Sequence, residues 1–253
     1  PAYRDDVDNG VLEKALQENR AFNRWYHTNT RAHKRDGYRS VTLTLKKTGR
    51  IPGDVSDEQL EAIADLADRY SFGELRNTHQ QNMVLSDVAT DDLFELWEKL
   101  DALGMATPNL GLLTDIVACP GGDLCALANA KSVPVAEGIQ RRFDDMDYVH
   151  DLGPLDINIS GCMNACGHHH IGHIGILGVD KKGKEFYQIT LGGRGDKLSR
   201  IGEKMGPSFE SYEVTDVIEK IINVYVDKRL ENEPFIDTYE RIGMEPFKEH
   251  VYG

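Results

Sequence analysis

The chain has 253 residues, with 40% hydrophobic and 28% charged residues and a formal net charge of −13. This composition is typical of a soluble globular protein of one or two domains. No apolar stretch of about 18 residues is present, which excludes a transmembrane helix, and the polar N-terminus is unlike a signal peptide. The acidic balance disfavours nucleic acid and anionic lipid as partners. We therefore expect a cytoplasmic protein that binds neither nucleic acid nor membranes.

The negative charge is unevenly distributed along the chain. Residues 31–50 contain seven Lys or Arg and one Asp, so this segment carries a formal charge of +6. The favoured interpretation is a solvated loop and strand edge. The alternative interpretation is a site for an anion or for an acidic partner.

The first region of the chain begins with a predicted helical leader. Apolar residues recur at helical spacing within residues 11–27, which predicts a helix there. Alternating apolar residues then predict a half-buried strand over residues 38–46. Its predicted buried face comprises Val41, Leu43 and Leu45.

A second helix is predicted after a turn. Ser56 and Gln59 have the spacing of a capping box, which begins a helix at this point. Its predicted apolar face comprises Leu60, Ile63, Ala64 and Ala67. Two short strands, 75–78 and 83–85, and a helix that begins at Thr90 or Asp91 complete the region. The order β-α-β-β-α predicts an α+β arrangement of one sheet and two helices.

The second region follows a glycine- and proline-containing break at residues 104–111. A helix is predicted from Asp123 through Ala130, and Ser132 is predicted to cap the next helix. A strand over 156–159 and a hairpin follow. The hairpin strands and the last two helices are predicted at residues 174–179, 185–191, 214–226 and 235–242.

The four cysteines form two close pairs. Five residues separate Cys119 from Cys125, and three separate Cys162 from Cys166. Two such pairs in a cytoplasmic chain indicate metal binding before disulfide formation. Zinc prefers closer pairs, whereas four thiolates around iron and sulfide tolerate flexible spacing. An iron–sulfur cluster is favoured, and a structural zinc site and four unrelated free cysteines are the alternatives.

The residues beside the cysteines also favour a cluster. Residues 120–122, Pro-Gly-Gly, allow close backbone approach and offer N–H groups to sulfur. Cys125 is predicted in the first turn of the helix capped by Asp123, whose positive end stabilises a thiolate. Asn164 tolerates left-handed backbone geometry, so we expect it to form the turn between the last two cysteines.

Three stretches together resemble one protein family. CPGGDLC at 119–125 and SGCMNACGHHH at 160–170 resemble the paired cysteine signature of sirohaem-dependent sulfite and nitrite reductases. RNTHQQN at 76–82 resembles a stretch of the family's ferredoxin-like half-domain. The resemblance extends from about residue 31 to the end and points to the C-terminal half of a sulfite reductase haemoprotein subunit. It implies a helical leader and ferredoxin-like half-domain over 1–108, and a mixed α/β 4Fe-4S and sirohaem domain over 109–253.

The resemblance also implies cofactors and a reaction. Cys119, Cys125, Cys162 and Cys166 would hold a [4Fe-4S] cluster. Cys166 would also be the axial thiolate of the sirohaem iron, and Asn164 would lie near the sirohaem face. The implied reaction is the six-electron reduction of sulfite to sulfide, with nitrite reduction to ammonia as the alternative.

Members of this family are built from two homologous halves. The Arg and Lys residues that bind the substrate anion lie mostly in the N-terminal half, so we assign no catalytic residue here. The first residue is proline rather than methionine, as expected of a processed product or of a piece of a longer chain. The expected partners are the N-terminal half, a ferredoxin or flavoprotein electron donor, and sulfite or nitrite. A stand-alone iron–sulfur electron-transfer module is the alternative.

Four histidines closely follow the last cysteine: His168, His169, His170 and His173. They either tune a cluster and relay protons, or pack and hydrogen-bond beneath it. The second interpretation is favoured, because a histidine beside a site more often supports the ligands than joins them. Arg76 matches an anion-binding position of the other half, and here we expect it to be structural.

Overall fold

The computed structural model describes residues 2–253, which divide into two compact units. Unit 1 comprises the described residues up to Lys47 together with Gly53–Leu110, and unit 2 comprises Thr48–Pro52 together with Gly111–Gly253. Each unit has its own sheet, its own helices and its own hydrophobic core. The predicted α+β fold class is confirmed.

Unit 1 is built on a four-stranded antiparallel sheet. Its helices and strands are α1 (Asn9–Glu18), α2 (Arg20–Asn29), β1 (Thr30–Ala32), β2 (Tyr38–Leu43), α3 (Asp57–Tyr70), β3 (Leu75–Asn77), β4 (Met83–Ala89) and α4 (Leu93–Ala102). The strands lie in the order β1-β2-β4-β3. The predicted order β-α-β-β-α is confirmed, and β1 is an additional edge strand.

The leader is two helices rather than the single helix predicted from the apolar stripe. Asn19 has an extended backbone with φ −125°, and its N–H still donates to the carbonyl of Ala15. Its side-chain oxygen accepts the N–H of Phe22, so Asn19 ends α1 and caps α2. The prediction was wrong because asparagine bonds readily to nearby backbone groups, and this competes with helix continuation.

Strand β2 is more deeply buried than predicted. The predicted apolar face is buried as expected: Val41, Leu43 and Leu45. Thr42 and Thr44, on the opposite face, are buried as well. The hydroxyl of Thr44 donates to the carbonyl of Thr107 at 2.8 Å, and a bonded hydroxyl can be buried at little cost. Alternation of apolar and polar residues therefore failed to reveal that this strand is covered on both faces.

Helix α3 begins with the predicted capping box. The N–H of Gln59 donates to Ser56 Oγ at 3.2 Å, and the N–H of Ser56 donates to Gln59 Oε1 at 3.0 Å. The buried side chains of the helix are Ile63, Leu66, Ala67 and Tyr70. Leu60 and Ala64 are exposed, contrary to prediction. The buried residues thus begin three residues later than predicted, and they follow the i, i+3, i+4, i+7 spacing of one helix face.

Unit 2 is built on a five-stranded mixed sheet. Its helices and strands are β5 (Val117–Ala118), α5 (Val133–Arg142), α6 (Met146–Leu152), β6 (Ile157–Ser160), β7 (Ile174–Lys181), β8 (Lys184–Leu191), β9 (Glu203–Lys204), α7 (Val214–Lys228), α8 (Phe235–Ile242) and α9 (Glu245–Tyr252). The strands follow chain order; β5, β6 and β7 are parallel, and β7, β8 and β9 are antiparallel. The predicted hairpin and α8 are confirmed, whereas β5, β9, α6 and α9 are additional elements.

Helix α7 supplies much of the core of unit 2. Its predicted apolar stripe is buried: Val217, Ile218, Ile221 and Ile222. The helix contacts α5, α8 and α9. It has 15 residues.

Among the helices of residues 2–253, none is long and apolar enough to cross a membrane.

The Ser56→Ala substitution tests the capping box of α3. We expect it to lower the free energy of unfolding of unit 1 by about 1 kcal/mol, because the N–H of Gln59 loses its acceptor. Urea denaturation followed by circular dichroism measures this loss. Ser56→Asp is the matched control, since aspartate also caps helices; equal losses in both variants would contradict the assignment.

Candidate functional site

The carboxyl ends of two parallel strands bring two cysteines to one edge of the sheet. Strand β5 pairs with β6 in parallel, with Val117 opposite Asn158. Cys119 directly follows β5, and Cys162 follows β6 after one intervening glycine. Because the carboxyl ends of parallel strands meet at the same edge, the two cysteines lie at the same end of the strand pair. Each is only 7% exposed.

The loop after Cys119 is not the helix that was predicted from Asp123 through Ala130. A short 3-10 turn covers Gly121–Asp123, and no α-helix occurs between there and α5 in the described chain. The N–H groups of Asn129 and Ala130 both donate to the carbonyl of Gly161, at 2.9 and 3.0 Å. These two N–H groups bond to the segment before Cys162 rather than to carbonyls of their own segment. The predicted helix therefore does not form.

The position of Cys125 changes accordingly. Its N–H donates to the carbonyl of Gly121 at 2.9 Å, and its carbonyl accepts the N–H of Ala128 at 3.2 Å. Cys125 is therefore part of a tight loop, and the proposed stabilisation of its thiolate by a helix N-terminus is wrong.

The second cysteine pair lies on a compact turn. The N–H of Ala165 donates to the carbonyl of Cys162 at 3.2 Å, and the N–H of His168 donates to the carbonyl of Ala165 at 2.8 Å. Ala165 and His168 have left-handed backbones, with φ of 57° and 54°. Asn164 lies in this turn as predicted, but it is not one of the left-handed residues. Asn164 and Cys166 are both exposed on this turn.

Close backbone approach at two glycines holds the cysteine segments together. A Cβ on Gly161 would lie 2.6 Å from the carbonyl oxygen of Ala130 and 2.9 Å from the Cα of Gly121. A Cβ on Gly121, whose φ is +61°, would lie 2.4 Å from the nitrogen of Ser132. A side chain at either position would push the loops apart. Glycine is therefore required at residue 121, as predicted, and the structure shows that contacts within the protein impose this requirement.

The sulfur of Cys119 has two polar neighbours that the sequence did not indicate. The N–H of Gly161 donates to Cys119 Sγ at 3.1 Å, and Ser132 Oγ lies 3.3 Å from the same sulfur. Ser132 precedes α5 as predicted, yet its side chain makes no capping hydrogen bond. The glycine directly before Cys162 could have indicated a close backbone approach to this sulfur. Nothing in the sequence indicated that Ser132, 13 residues from Cys119, would contact it.

All four cysteines are free thiols in the described part of the chain. Within residues 2–253, no group of three or more Cys, His, Asp or Glu side chains lies close enough to hold a single metal ion. A single zinc ion bound by four thiolates needs sulfurs about 3.8 Å apart. An iron–sulfur cube carries its ligands on separate corners and so accepts thiols that are further apart. Soft thiol donors on loops cross-linked at one edge of the sheet fit such a cluster.

The histidines after Cys166 differ in their surroundings. His169 is 1% exposed, and its Nδ1 has no hydrogen-bond partner among the described residues. Burial, and to a smaller extent His170, lowers the pKa of His169 to about 4, so His169 is neutral at pH 7. Burial also lowers the pKa of His173, whose Nδ1 accepts the N–H of Asp156. These contacts favour the packing interpretation.

Arg76 and residues 31–47 of the basic segment lie in unit 1, whereas residues 48–50 belong to unit 2. The side chain of Arg76 is 60% exposed and pairs with Glu74 at 2.8 Å, which favours the structural interpretation. In the basic segment, Arg31 donates to the carbonyls of Thr28 and Thr30, and Arg35 pairs with Asp5. Both cations therefore have partners within the unit, as expected of a solvated strand edge.

Comparison with protein families identifies the class of the chain. Residues 112–253 match the nitrite and sulphite reductase 4Fe-4S domain. Residues 32–103 match the nitrite/sulfite reductase ferredoxin-like half domain. The matched 4Fe-4S domain contains the mixed sheet and the cysteines that follow its parallel strands. The chain belongs to the nitrite and sulphite reductase family, and the predicted membership is confirmed.

Individual relatives are much longer than this chain. Sulfite reductase (ferredoxin) 2 of Mycolicibacterium paratuberculosis is 33% identical over 195 residues, which cover 73% of this chain and 35% of that protein. Sulfite reductase (ferredoxin) of Mycobacterium tuberculosis is 32% identical over the same shares. The chloroplastic ferredoxin–nitrite reductase of Zea mays is 29% identical, over 87% of this chain and 40% of that protein. The chain thus spans 35% to 40% of the length of these relatives.

Two solved structures resemble the fold. The NirA protein of Mycobacterium tuberculosis has a TM-score of 0.70 at 29% identity, over 87% of this chain and 41% of that chain. Dissimilatory sulfite reductase I has a TM-score of 0.69 over 96% of this chain and 79% of that chain. Its identity is 15%, so this second likeness concerns the fold alone. The predicted succession of a ferredoxin-like half-domain and a mixed α/β domain is confirmed.

The Gly121→Ala substitution tests the close approach of the cysteine loops. We expect it to lower the free energy of unfolding by about 3 kcal/mol, from left-handed strain and from the clash with Ser132. Gly183→Ala is the matched control, because Gly183 has φ +78° but nothing within 4 Å of a Cβ. Its loss is expected near 1 kcal/mol. Thermal and urea unfolding measure both, and equal losses would contradict the clash.

The lowered pKa of His169 predicts a pH dependence of stability. The unfolded chain binds a proton at this residue below about pH 6.5, whereas the folded chain does so only near pH 4. The contribution of His169 is therefore present above pH 6.5 and is lost as the pH falls towards 4, at up to about 1.4 kcal/mol per pH unit. Urea denaturation of wild type and His169→Gln at pH 7, 6 and 5 measures it. Parallel curves from pH 7 to pH 5 would refute the assignment.

Proposed function

We propose that this chain is the cluster-bearing half of an enzyme that reduces sulfite to sulfide with six electrons. The observation that carries the proposal is that Cys119 and Cys162 follow the carboxyl ends of two paired parallel strands, with the free thiols of Cys125 and Cys166 on the loops that continue from them. Membership of the nitrite and sulphite reductase family supports the same reading. We further propose that residues 1–108 form the leader and ferredoxin-like half-domain, and residues 109–253 the cofactor domain.

The four cysteines are proposed as ligands of a [4Fe-4S] cluster. Cys119 and Cys162 are buried at the ends of β5 and β6, and their positions are set by the sheet. Cys125 is half-buried and Cys166 exposed, and both belong to loops beyond the strands. This division provides two fixed and two adaptable thiolates, which suits a ligand set that must close around an inserted cluster.

Cys166 is proposed to be shared with a sirohaem iron, and Asn164 to contact the sirohaem. Both residues are exposed on the same turn, beside Met163, whose side chain is 82% exposed. A thiolate that serves two groups must be reachable from outside the fold, and Cys166 is the one exposed thiol of the four. When bound, the coupled cofactors would supply electrons over almost no transfer distance.

The partner proposed for this half is the N-terminal half of the same enzyme. Leu124 and Leu127 on the first cysteine loop are 78% and 75% exposed, and Met163 on the second is similarly uncovered. Large apolar side chains in such exposed positions are typical of a surface that another protein segment covers. The relatives' greater length agrees with a missing half.

Sulfite is the proposed substrate and ferredoxin the proposed electron donor. The relatives named as sulfite reductase (ferredoxin) are 33% and 32% identical to the chain. The relative named as ferredoxin–nitrite reductase is 29% identical but covers more of it. Nitrite reduction to ammonia is therefore the second candidate. A flavoprotein donor and a stand-alone electron-transfer module are the less favoured variants of the proposal.

Cys→Ser substitution at each of the four cysteines tests the cluster. After anaerobic reconstitution with iron and sulfide, we expect each variant to lose most of the iron and acid-labile sulfide that wild type retains, because serine is a poor ligand for this soft cluster. Met163→Ala is the matched control on the same turn and should retain both. Zinc in place of iron and sulfide, or iron uptake that is indifferent to the cysteines, would overturn the cluster assignment.

The holoenzyme that contains this chain then distinguishes the substrates. With reduced methyl viologen as donor, we expect sulfide from sulfite at a higher kcat/KM than ammonia from nitrite. The reverse ranking would establish the second candidate, and a cluster-containing protein that reduces neither anion would favour the electron-transfer module.

A further inference from the structure

Ser132 begins a helix without capping it. The residue is fully buried and directly precedes α5, where serine ordinarily accepts an N–H of the first turn. Its backbone carbonyl does accept the N–H of Ala136. Its hydroxyl makes no capping bond and lies 3.3 Å from Cys119 Sγ. The side chain of Ser132 therefore faces a sulfur rather than the helix that it begins.

Two hydrogen-bonding groups converge on that sulfur. Besides Ser132, the N–H of Gly161 donates to Cys119 Sγ at 3.1 Å. In the free thiol, either Cys119 or Ser132 could donate the shared proton. A ligating thiolate has no proton, so only the hydroxyl of Ser132 can then be the donor. Ligation by Cys119 thus fixes the direction of this hydrogen bond.

The surrounding backbone holds the hydroxyl in place. Gly121 packs so closely that a Cβ there would lie 2.6 Å from Ser132 Oγ. On the preceding residue, the carbonyl of Lys131 accepts the hydroxyl of Tyr187 at 2.7 Å. The segment before Lys131 is tied to Gly161, the second donor to the sulfur. Ser132 is therefore positioned before any cluster binds, and little rearrangement is needed when charge on the sulfur changes.

We propose that Ser132 is a positioning residue that donates a hydrogen bond to the Cys119 thiolate and raises the reduction potential of the bound cluster. The inference rests on the proposed function. Reduction adds one electron to the cluster, with dithionite as the source, and no bond forms or breaks. Part of the added negative charge spreads to the ligand sulfurs, so a hydrogen-bond donor stabilises the reduced state more than the oxidised state.

Ser132→Ala in the full chain, reconstituted anaerobically, tests the inference. We expect the equilibrium between oxidised and reduced cluster to shift roughly tenfold towards the oxidised form, which is about 59 mV for one electron. A redox titration followed by electron paramagnetic resonance measures the shift. Ser132→Gly removes the same hydroxyl and should shift the potential in the same direction. Ser132→Thr keeps a hydroxyl and should restore the wild-type potential.

Ser56→Ala is the matched control, because it removes a serine hydroxyl from a true helix cap in unit 1. It should lower stability and leave the potential unchanged, which separates tuning from a loss of folding. Wild-type potentials in both Ser132→Ala and Ser132→Gly, at normal iron and sulfide content, would overturn the proposed role of Ser132 but not the proposed function. A wild-type chain that takes up no iron and sulfide would overturn the proposed function and this inference with it.

Discussion

The parallel pairing of β5 with β6 is the constraint on which the rest of the site depends. Only two residues of β5 pair with β6, yet this pairing places Cys119 beside the segment that leads to Cys162. The carbonyl of Gly161 then receives two N–H groups from the first cysteine loop. A side chain at Gly161 or Gly121 would disrupt these contacts. The thiols are thus organised by backbone contacts that require glycine at residues 121 and 161.

Burial creates an electrostatic requirement at Cys119 that does not exist at Cys166. A buried thiolate has lost its water and needs hydrogen-bond donors from the protein. Gly161 and Ser132 provide a backbone and a side-chain group within 3.3 Å. Cys166 is exposed and can be solvated or covered by another group. Cys119 and Cys166 therefore lie in chemically different environments.

Some local signals were read correctly from the sequence, whereas the break at Asn19 and the long-range bonds were not. The Ser56 capping box and the α8 helix depend on neighbouring residues, and both were predicted. The helix from Asp123 was wrong because the N–H groups of Asn129 and Ala130 bond to Gly161, about 30 residues away. The left-handed residue is Ala165 rather than Asn164, since the turn's own bonds outweigh intrinsic preference. The cysteine spacing and the family resemblance indicated a candidate site, whereas the approach of Ser132 to Cys119 is visible only in three dimensions.

The distance along the chain between β5 and β6 has a consequence for biosynthesis. Val117 and Asn158 are paired across about 40 residues, so a long loop must close before the strands meet. A ribosome has to release this whole stretch before the edge that carries the cysteines exists. Assembly of the proposed cluster would therefore follow folding of the sheet. Until then the nascent thiols are unprotected, and oxidation competes with maturation of the protein.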